Sequence, residues 1–393
     1  MSDKTILVIN TGSSSLKFGF YEEDNGKERL VVTGLAEGIG SRGGKLSVTD
    51  AGGHVLRAEQ ISFASQSEAL DRAFQWLKDT SSTTACAIGH RVVHGGPRLR
   101  THQLLTPAVR AELEACLHFA PLHLPVALQL IDQTQKLYPQ IPQFACFDTA
   151  FHATMPDLAV RLPLPTELFQ EGIQRYGFHG LSYESIVHQL SGNLPSRTIV
   201  AHLGNGASLT ALRDGRSIDT TMALTPTGGI PMATRSGDLD PGVLLYLLRV
   251  KQMDTDTVEK LLNHDSGLLA LSGGQSDMRD LEAAAGLGKA DAQLALDMFC
   301  MSIRKTIGAY AAVLGGLDML VFTGGIGEYS STVRTNVCQA LSFLGIGLDQ
   351  TANKAHENVI SADDSKIAVR VVPSQEDLQI SRHCRALTYT SRH

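Results

Sequence analysis

With 393 residues, 43% of them hydrophobic, the chain can bury a large core, and its length favours two or three domains over one. The net charge of −6, from 34 basic and 40 acidic side chains, gives no electrostatic reason to bind nucleic acid or an anionic membrane, so any phosphate site must be locally basic. Six cysteines (Cys86, Cys116, Cys146, Cys300, Cys338, Cys384) without a C-x-x-C pair fit the reduced thiols of a cytosol, and with neither a leader-like start nor an apolar stretch of membrane-spanning length the chain reads as cytoplasmic.

The first element is an apolar run, Ile6-Leu7-Val8-Ile9, that empties into Asn10-Thr11-Gly12-Ser13-Ser14-Ser15 and resumes as Leu16-Lys17-Phe18-Gly19-Phe20: strand, hydroxyl-rich turn, strand. Backbone N–H groups exposed by Gly12, the hydroxyls of Ser13 to Ser15 and the Lys17 cation can surround a phosphate, while Asn10 can orient a metal-bound water. Strand-like runs follow at Leu30 to Leu35 and Lys45 to Thr49. Between them, Gly38-Ile39-Gly40-Ser41-Arg42-Gly43 matches G-x-G-x-x-G, but it joins strand to strand and is therefore not a dinucleotide fingerprint. A P-loop is absent as well, because Gly44-Lys45 and Gly288-Lys289 lack the following hydroxyl residue and the leading glycine.

Helices then alternate with strands. One runs from Ser67 to Thr80 and opens on a serine cap, one has Pro107 at its first position after Thr106, and one has Pro125 before Val126 to Tyr138. Ala85 to Val93 and Gln143 to Phe147 read as buried strands, whose ends in an α/β protein face a crevice. A second half starts near Phe151, with a helix after Gly180 and a second hairpin, Ile199 to Thr210. There Ser208-Leu209 aligns with Ser15-Leu16 at an offset of 208 − 15 = 193, close to half of 393. A helix opened by Asp240-Pro241, a long helix from about Ala290 to Leu314 and a strand from Leu317 to Phe322 follow. That strand runs into Thr323-Gly324-Gly325-Ile326-Gly327-Glu328, a glycine turn before a helix from Ser331 and a seat for a nucleoside and its α-phosphate. The last helix, from about Glu376, is expected to pack back on the first domain. Two like halves, each opening with a phosphate-type hairpin, predict an α/β protein of two lobes with a nucleotide in the cleft: 1–150 joined by a helix of about 376–393, and 151–375.

Five further clusters couple a charged or imidazole group to glycine or apolar neighbours: His90 to Gly96, Pro121-Leu122-His123, Phe147-Asp148-Thr149, Tyr176 to Gly180, and Thr234-Arg235-Ser236-Gly237-Asp238. His90 and His94 read as structural, since no carboxylate motif completes a metal site with them. Arg91 and Arg235 would be costly to bury unpaired, so each reads equally as a ligand clamp or as half of an internal ion pair. His179 alone reads as a packing histidine, Asp148 alone as a cap, and Asp277-Met278-Arg279 as a helix-start aspartate beside a surface arginine. Their joint occurrence with two phosphate hairpins points to a nucleotide-dependent phosphotransferase.

The set resembles the short-chain carboxylate kinases, the family of the acetate, propionate and butyrate kinases, over nearly the whole chain. The resemblance rests on Val8 to Lys17, Gly89 to Gly96, Phe147 to His152, Tyr176 to Gly180, His202-Leu203-Gly204-Asn205-Gly206, Thr234 to Asp238 and Thr323 to Glu328, in that order and spacing. It implies the two-domain actin-like ATPase fold of duplicated ribonuclease H-like domains, a homodimer, and reversible transfer of the γ-phosphoryl of ATP to a small carboxylate with Mg²⁺, or Mn²⁺ in its place. Acetate is the expected acceptor and propionate the alternative. By family match, Asn10 and Glu376 would hold the metal and Lys17 would lie near the phosphates. His202, Leu203, Gly204, Asn205, Gly206, Asp277, Met278, Arg279, Gly324, Gly325, Ile326, Gly327 and Glu328 would seat the nucleotide. Arg91, His123, Asp148, His179 and Arg235 would surround the transferred group, and Val93, Leu122, Phe178 and Pro226 would line an apolar pocket for the acid's tail.

The family gives the equivalent of Asp148 a proton-handling role, yet a carboxylic acid with a pKa of about 4 to 5 is already ionised at neutral pH and needs no base. Asp148 therefore reads as the residue that orients Arg91 or a metal-bound water. The chain departs from the common family pattern at Leu124, Leu181, Tyr183, Gly228, Ala233 and Tyr329, and Gln375 and Asp377 flank Glu376 unusually. Two rivals share the expected fold: a nucleotide-driven chaperone, which would need a separate peptide-binding module, and a sugar kinase, which would need a more polar pocket.

Overall fold

The computed structural model describes residues 5–12, 15–40, 43–80 and 85–390. Ser13 and Ser14, two of the hydroxyls expected to cradle phosphate, lie outside them, as do Ser41 and Arg42. The chain divides into two compact units, one of Met1–Ala150, Gly180–Ser185 and Gln375–His393, the other of Phe151–His179 and Ile186–Ser374.

The first unit is built on eight strands: β1 (Ile6–Thr11), β2 (Ser15–Asp24), β3 (Lys27–Glu37), β4 (Lys45–Asp50), β5 (Val55–Gln60), β6 (Ala87–Val92), β7 (Gln103–Leu104) and β8 (Gln143–Phe147). Their order is β5-β4-β3-β2-β1-β6-β8-β7. The first five form an antiparallel meander, whereas β1, β6 and β8 run parallel. Because side chains alternate across a strand, β1 splits its apolar run between two cores. Leu7 and Ile9 join Phe18, Phe74 and Leu130 on one face, and Ile6 and Val8 join Leu181, Ile380 and Cys384 on the other. Covered on both faces, the strand has no polar side until Asn10.

The helix Glu376–Thr390 lies on that second face, against β1 and β6. Gly89 makes the approach possible: a Cβ there would sit 2.5 Å from both Cys384 Sγ and Ile380 Cγ2. The burial it permits is worth about 2 kcal/mol for Ile380 alone.

Three helices of this unit begin where their local chemistry places them, with one difference. Thr106 Oγ1 accepts the Val109 N–H ahead of Pro107–Ala115, and Pro125 sits in the first turn of Leu124–Leu137. The helix Gln66–Thr80, however, is not capped by Ser67. Ser65 Oγ accepts the Glu68 N–H at 3.2 Å, while the Ser67 hydroxyl donates to Gln133 Oε1.

The second unit carries β9 (Arg197–Leu203), β10 (Ala207–Arg213), β11 (Arg216–Thr220), β12 (Met319–Thr323) and β13 (Ala368–Val371), ordered β11-β10-β9-β12-β13. Here too a hairpin, β9 with β10, pairs its first strand in parallel with a later one, β12, the pattern of β1, β2 and β6. The 25-residue helix Ala290–Leu314 packs on β9 and β10 and ends on Gly315 in the left-handed conformation. The stretch after β12 differs from the expected open turn: Gly324–Tyr329 is itself a short helix, and Ser331–Gln339 follows it.

Candidate active site

In the first unit, the parallel strands end in a compact group of charges. Arg91, on β6, meets Asp148, just past β8, through two nitrogens. Nε lies 3.0 and 3.1 Å from the two carboxylate oxygens, and Nη2 lies 2.7 Å from Oδ2. This fork-on-carboxylate contact is that of an ion pair. Arg91 Nη1 also donates to Asn10 Oδ1 at 3.2 Å and lies 3.8 Å from Glu376 Oε2. Burial alone would lower the Arg91 pKa, but Asp148 and Glu376 carry it above the ordinary value. Burial pushes the Asp148 carboxyl up, and Arg91 opposes it.

The Glu376 helix contributes a second acid that sequence comparison had marked only as an unusual flank. Asp377 accepts the Asn10 amide N–H at 2.7 Å and pairs with Lys17 Nζ at 2.7 Å; Asn10 also reaches Glu376 Oε2 at 3.4 Å. Register explains the convergence, since Asn10 and Lys17 face each other across the first hairpin. Against the effect of burial, Asp377 and then Glu376 raise the Lys17 pKa, so the ammonium is retained. Glu376 and Asp377 supply the hard oxygen donors that Mg²⁺ or Mn²⁺ prefers, so the residues fit such an ion. Asn10 turns its nitrogen to these acids and its oxygen to Arg91, so it would meet a metal or its water only after the amide rotates.

In the second unit, His179 has a left-handed backbone (φ 58°) at the start of the helix Gly180–Gln189. Its Nδ1 lies 2.9 Å from Ser208 Oγ, and its ring stacks on His202 of β9 with centroids 4.3 Å apart. Ser208, which sequence reasoning used only to align the hairpins, thus sets the orientation of the imidazole. Gly204, Asn205 and Gly206 form the β9–β10 turn. A Cβ on Gly206 would sit 3.2 Å from His179 Nε2, tighter than an ordinary contact, and 3.6 Å from Arg235 Nη1, an ordinary one, so the bare backbone is what leaves the imidazole its place. Arg235 Nη1 donates to the Pro226 carbonyl at 3.1 Å, and the Asn205 carbonyl accepts the Ala233 N–H at 3.2 Å.

The Gly324 helix is fixed by two side chains. Glu328 Oε1 accepts the N–H groups of Gly324 and Ser374, each at 3.0 Å, so this carboxylate closes its own turn. Arg334, fully buried, donates to the Gly327 and Glu328 carbonyls at 2.8 Å and to the Asn353 carbonyl at 2.7 Å. Its hydrogen bonds thus go to backbone carbonyls and to the Asn353 and His356 side chains. The Thr323 hydroxyl, at the end of β12, is buried and without a hydrogen-bond partner among the described residues, a group that suits a polar ligand.

Other expected site residues are placed more plainly. Asp277 caps the helix Met278–Gly286 and pairs with the exposed Arg279, while the Met278 side chain is buried. His123 precedes the helix Leu124–Leu137 and Leu122 is exposed. Val93 and Leu122 belong to the first unit, and the buried Phe178 and Pro226 to the second. His90 is buried against Gln143, and His94 stacks on Phe119 and accepts the Gly96 N–H. Of the departures from the family pattern, Leu124, Leu181 and Tyr183 are buried outright, and Tyr329 is exposed. A cavity of about 750 Å³ in the second unit, lined among others by Arg175, Asp219, Asp238, Lys305 and Tyr310, includes none of the predicted site residues.

The sequence profile of the Acetokinase family matches residues 5–382. Acetate kinase of Methylocella silvestris is 42% identical over 399 residues, covering 98% of each chain. Among solved structures, Porphyromonas gingivalis acetate kinase superposes with a TM-score of 0.87 at 37% identity, covering 98% of this chain and all of that one. A propionate kinase from Francisella tularensis superposes with a TM-score of 0.91 at 35% identity over the same shares.

Proposed function

The chain belongs to the acetokinase family, and we propose that it catalyses reversible transfer of the γ-phosphoryl group of ATP to acetate, giving acetyl phosphate and ADP. The fold is the two-domain actin-like ATPase fold, its two units serving as the lobes. Propionate as acceptor is the second reading, favoured by the likeness to the Francisella enzyme.

The observation that carries the mechanism is the forked Arg91–Asp148 pair. An anionic acid must be brought to an anionic triphosphate, so repulsion and the charge on the equatorial oxygens are the obstacles. Arg91 and Arg235 neutralise the carboxylate and phosphoryl oxygens, and His179 and His123 donate hydrogen bonds to them. Asp148 holds Arg91 rigid and removes no proton, because the acceptor is already ionised. Lys17 meets the phosphates. The glycines at 204, 206, 324, 325 and 327 let backbone approach the nucleotide, with Asp277 to Arg279 beside it. A divalent ion at Asn10, Glu376 and Asp377, when bound, neutralises phosphate oxygens. Val93, Leu122, Phe178 and Pro226 are the residues assigned to the acid's short alkyl group.

The protein works as a homodimer in the cytoplasm, where its six cysteines stay thiols. The helix Pro241–Arg249 supports the dimer: it buries none of its residues and exposes Val243, Leu245, Tyr246 and Leu248. No helix among the described residues is long and apolar enough to cross a membrane.

Incubating enzyme, Mg·ATP and acetate, propionate, butyrate or glycerol with hydroxylamine tests the reaction. Hydroxamate is expected with acetate, and the relative rates rank the acids. ATP consumption that is equal with and without acceptor would overturn the assignment.

A further inference from the structure

Away from these groups, the first unit holds one more cluster of titratable side chains. Glu184, on the helix Gly180–Gln189, is flanked by two imidazoles. His102 Nε2 lies 3.1 Å from Oε1, His383 Nε2 lies 2.6 Å from Oε2, and the ring centroids are 4.0 Å apart. A carboxylate and two imidazoles with ligand atoms within 4.8 Å are also the composition of a zinc site.

His102 decides between the two readings. Its Nδ1 accepts the backbone N–H of Phe147 at 3.0 Å, so in the neutral ring the proton sits on Nε2, directed at Glu184. A ring that ligates through Nε2 must carry its proton on Nδ1, where the Phe147 N–H would oppose it. An ionised carboxylate can only accept, so His383, whose Nε2 also lies 3.0 Å from Gln379 Nε2, donates to Glu184 as well, and the cluster is two N–H donors on one carboxylate. Burial would raise Glu184, yet the bonds from His102 and His383 hold it down at about 2.

Each member belongs to a stretch that ends at the charged group. Phe147, held by His102, precedes Asp148. The helix bearing Glu184 begins with the Gly180 N–H on the Asp148 carbonyl at 2.9 Å, and its Ser185 hydroxyl accepts the Gln375 N–H at 3.1 Å, one residue before Glu376. His383 lies about two turns into the Glu376 helix.

We propose that Glu184 is a positioning residue: through His102 and His383 it locks the end of β8 to the Glu376 helix, and so fixes Asp148 and Arg91 relative to Glu376 and Asp377. The proposal rests on the kinase reading for its kinetic consequence. The geometric claim stands without it.

The test compares Glu184→Gln, His383→Ala and His383→Gln with the wild type at 25 °C, below the melting temperature of each. Glu184→Gln and His383→Ala are expected to lower kcat for hydroxamate formation roughly tenfold, with KM for ATP and acetate within about twofold, because a small misplacement of reacting groups costs rate and not affinity. His383→Gln, which keeps an N–H donor at the Nε2 position, is expected to retain more than a third of kcat. Amide exchange at Phe147 and along the Glu376 helix is expected to quicken in Glu184→Gln, a readout that needs no substrate. Unchanged kcat and exchange with only a lower melting temperature would overturn the proposal, as would a His383→Gln variant as slow as His383→Ala. Uptake of one Zn²⁺ per chain by the wild type, lost in His383→Ala, would overturn it in favour of a metal site. A wild type that forms no hydroxamate fails the kinase reading, and the exchange measurement then decides the geometric claim.

Discussion

In the first unit Arg91 meets Asp148 and Lys17 meets Asp377, so each cation faces an anion. In the second, Arg235 leans on a carbonyl, and His179 on a hydroxyl and a neighbouring ring, beside a turn of bare glycine backbone. The first group is organised by charge and the second by shape. Removing a partner from the first leaves a buried ion uncompensated, which is costly. Adding atoms to the second pushes its side chains out of place, with a cost that depends on how far they can yield.

Arg91 gives the hardest test of this contrast. Arg91→Ala is expected to lower kcat in the hydroxamate assay by roughly 10²–10³-fold, and Arg91→Lys to recover little, because an ammonium cannot make the fork on Asp148. Recovery by lysine to near wild-type rate would show that charge alone matters there. Gly206→Val comes next: a Cβ there already crowds His179 Nε2 at 3.2 Å, and a loss of roughly tenfold in kcat/KM is expected, with a melting temperature close to wild type. A fall in melting temperature with kcat/KM unchanged would place Gly206 among ordinary turn residues.

His90 supplies a control within the first unit, since it is buried against Gln143 and lies outside the residues proposed to act. Burial lowers its pKa from 6.5 to about 4 despite the bond to Gln143. The unfolded chain therefore binds the proton more readily than the folded one between those values, and stability present above pH 6.5 is lost as pH falls toward 4. About 3 kcal/mol is at stake. Urea titrations of His90→Gln across this range should show a flatter dependence than the wild type, with kcat at neutral pH unchanged. The smallest expected effect is at the exposed helix: Tyr246→Glu should shift the proposed dimer toward monomer in light scattering and leave Arg91-dependent chemistry within about twofold.

Sequence carried the local features well. Both hairpins, the proline-started helices, the strand Gln143–Phe147 and the helix Ala290–Leu314 follow from apolar runs, caps and turn residues that act over a few positions. What it missed is set by distant partners. Asp377 matters because a hairpin some 360 residues earlier brings Asn10 and Lys17 to it. Ser208 matters because His179 packs above its strand. The Gly324 stretch coils into a helix because Glu328 bends back to the Gly324 N–H, a closure that glycine content alone argued against. Leu181 and Tyr183, two of the departures from the family pattern, are core residues, a placement set by what packs against their helix.

The placement of the Glu376 helix in the first unit has a consequence for synthesis. Ile380 and Cys384 complete the face of the sheet that Ile6 and Val8 begin, yet they leave the ribosome only after the whole of the second unit has been made. Until then that apolar face is uncovered, and the nascent chain must be shielded from aggregation. Since the same segment delivers Glu376 and Asp377, a polypeptide interrupted upstream of Gln375 lacks both the cover for that face and these two acids.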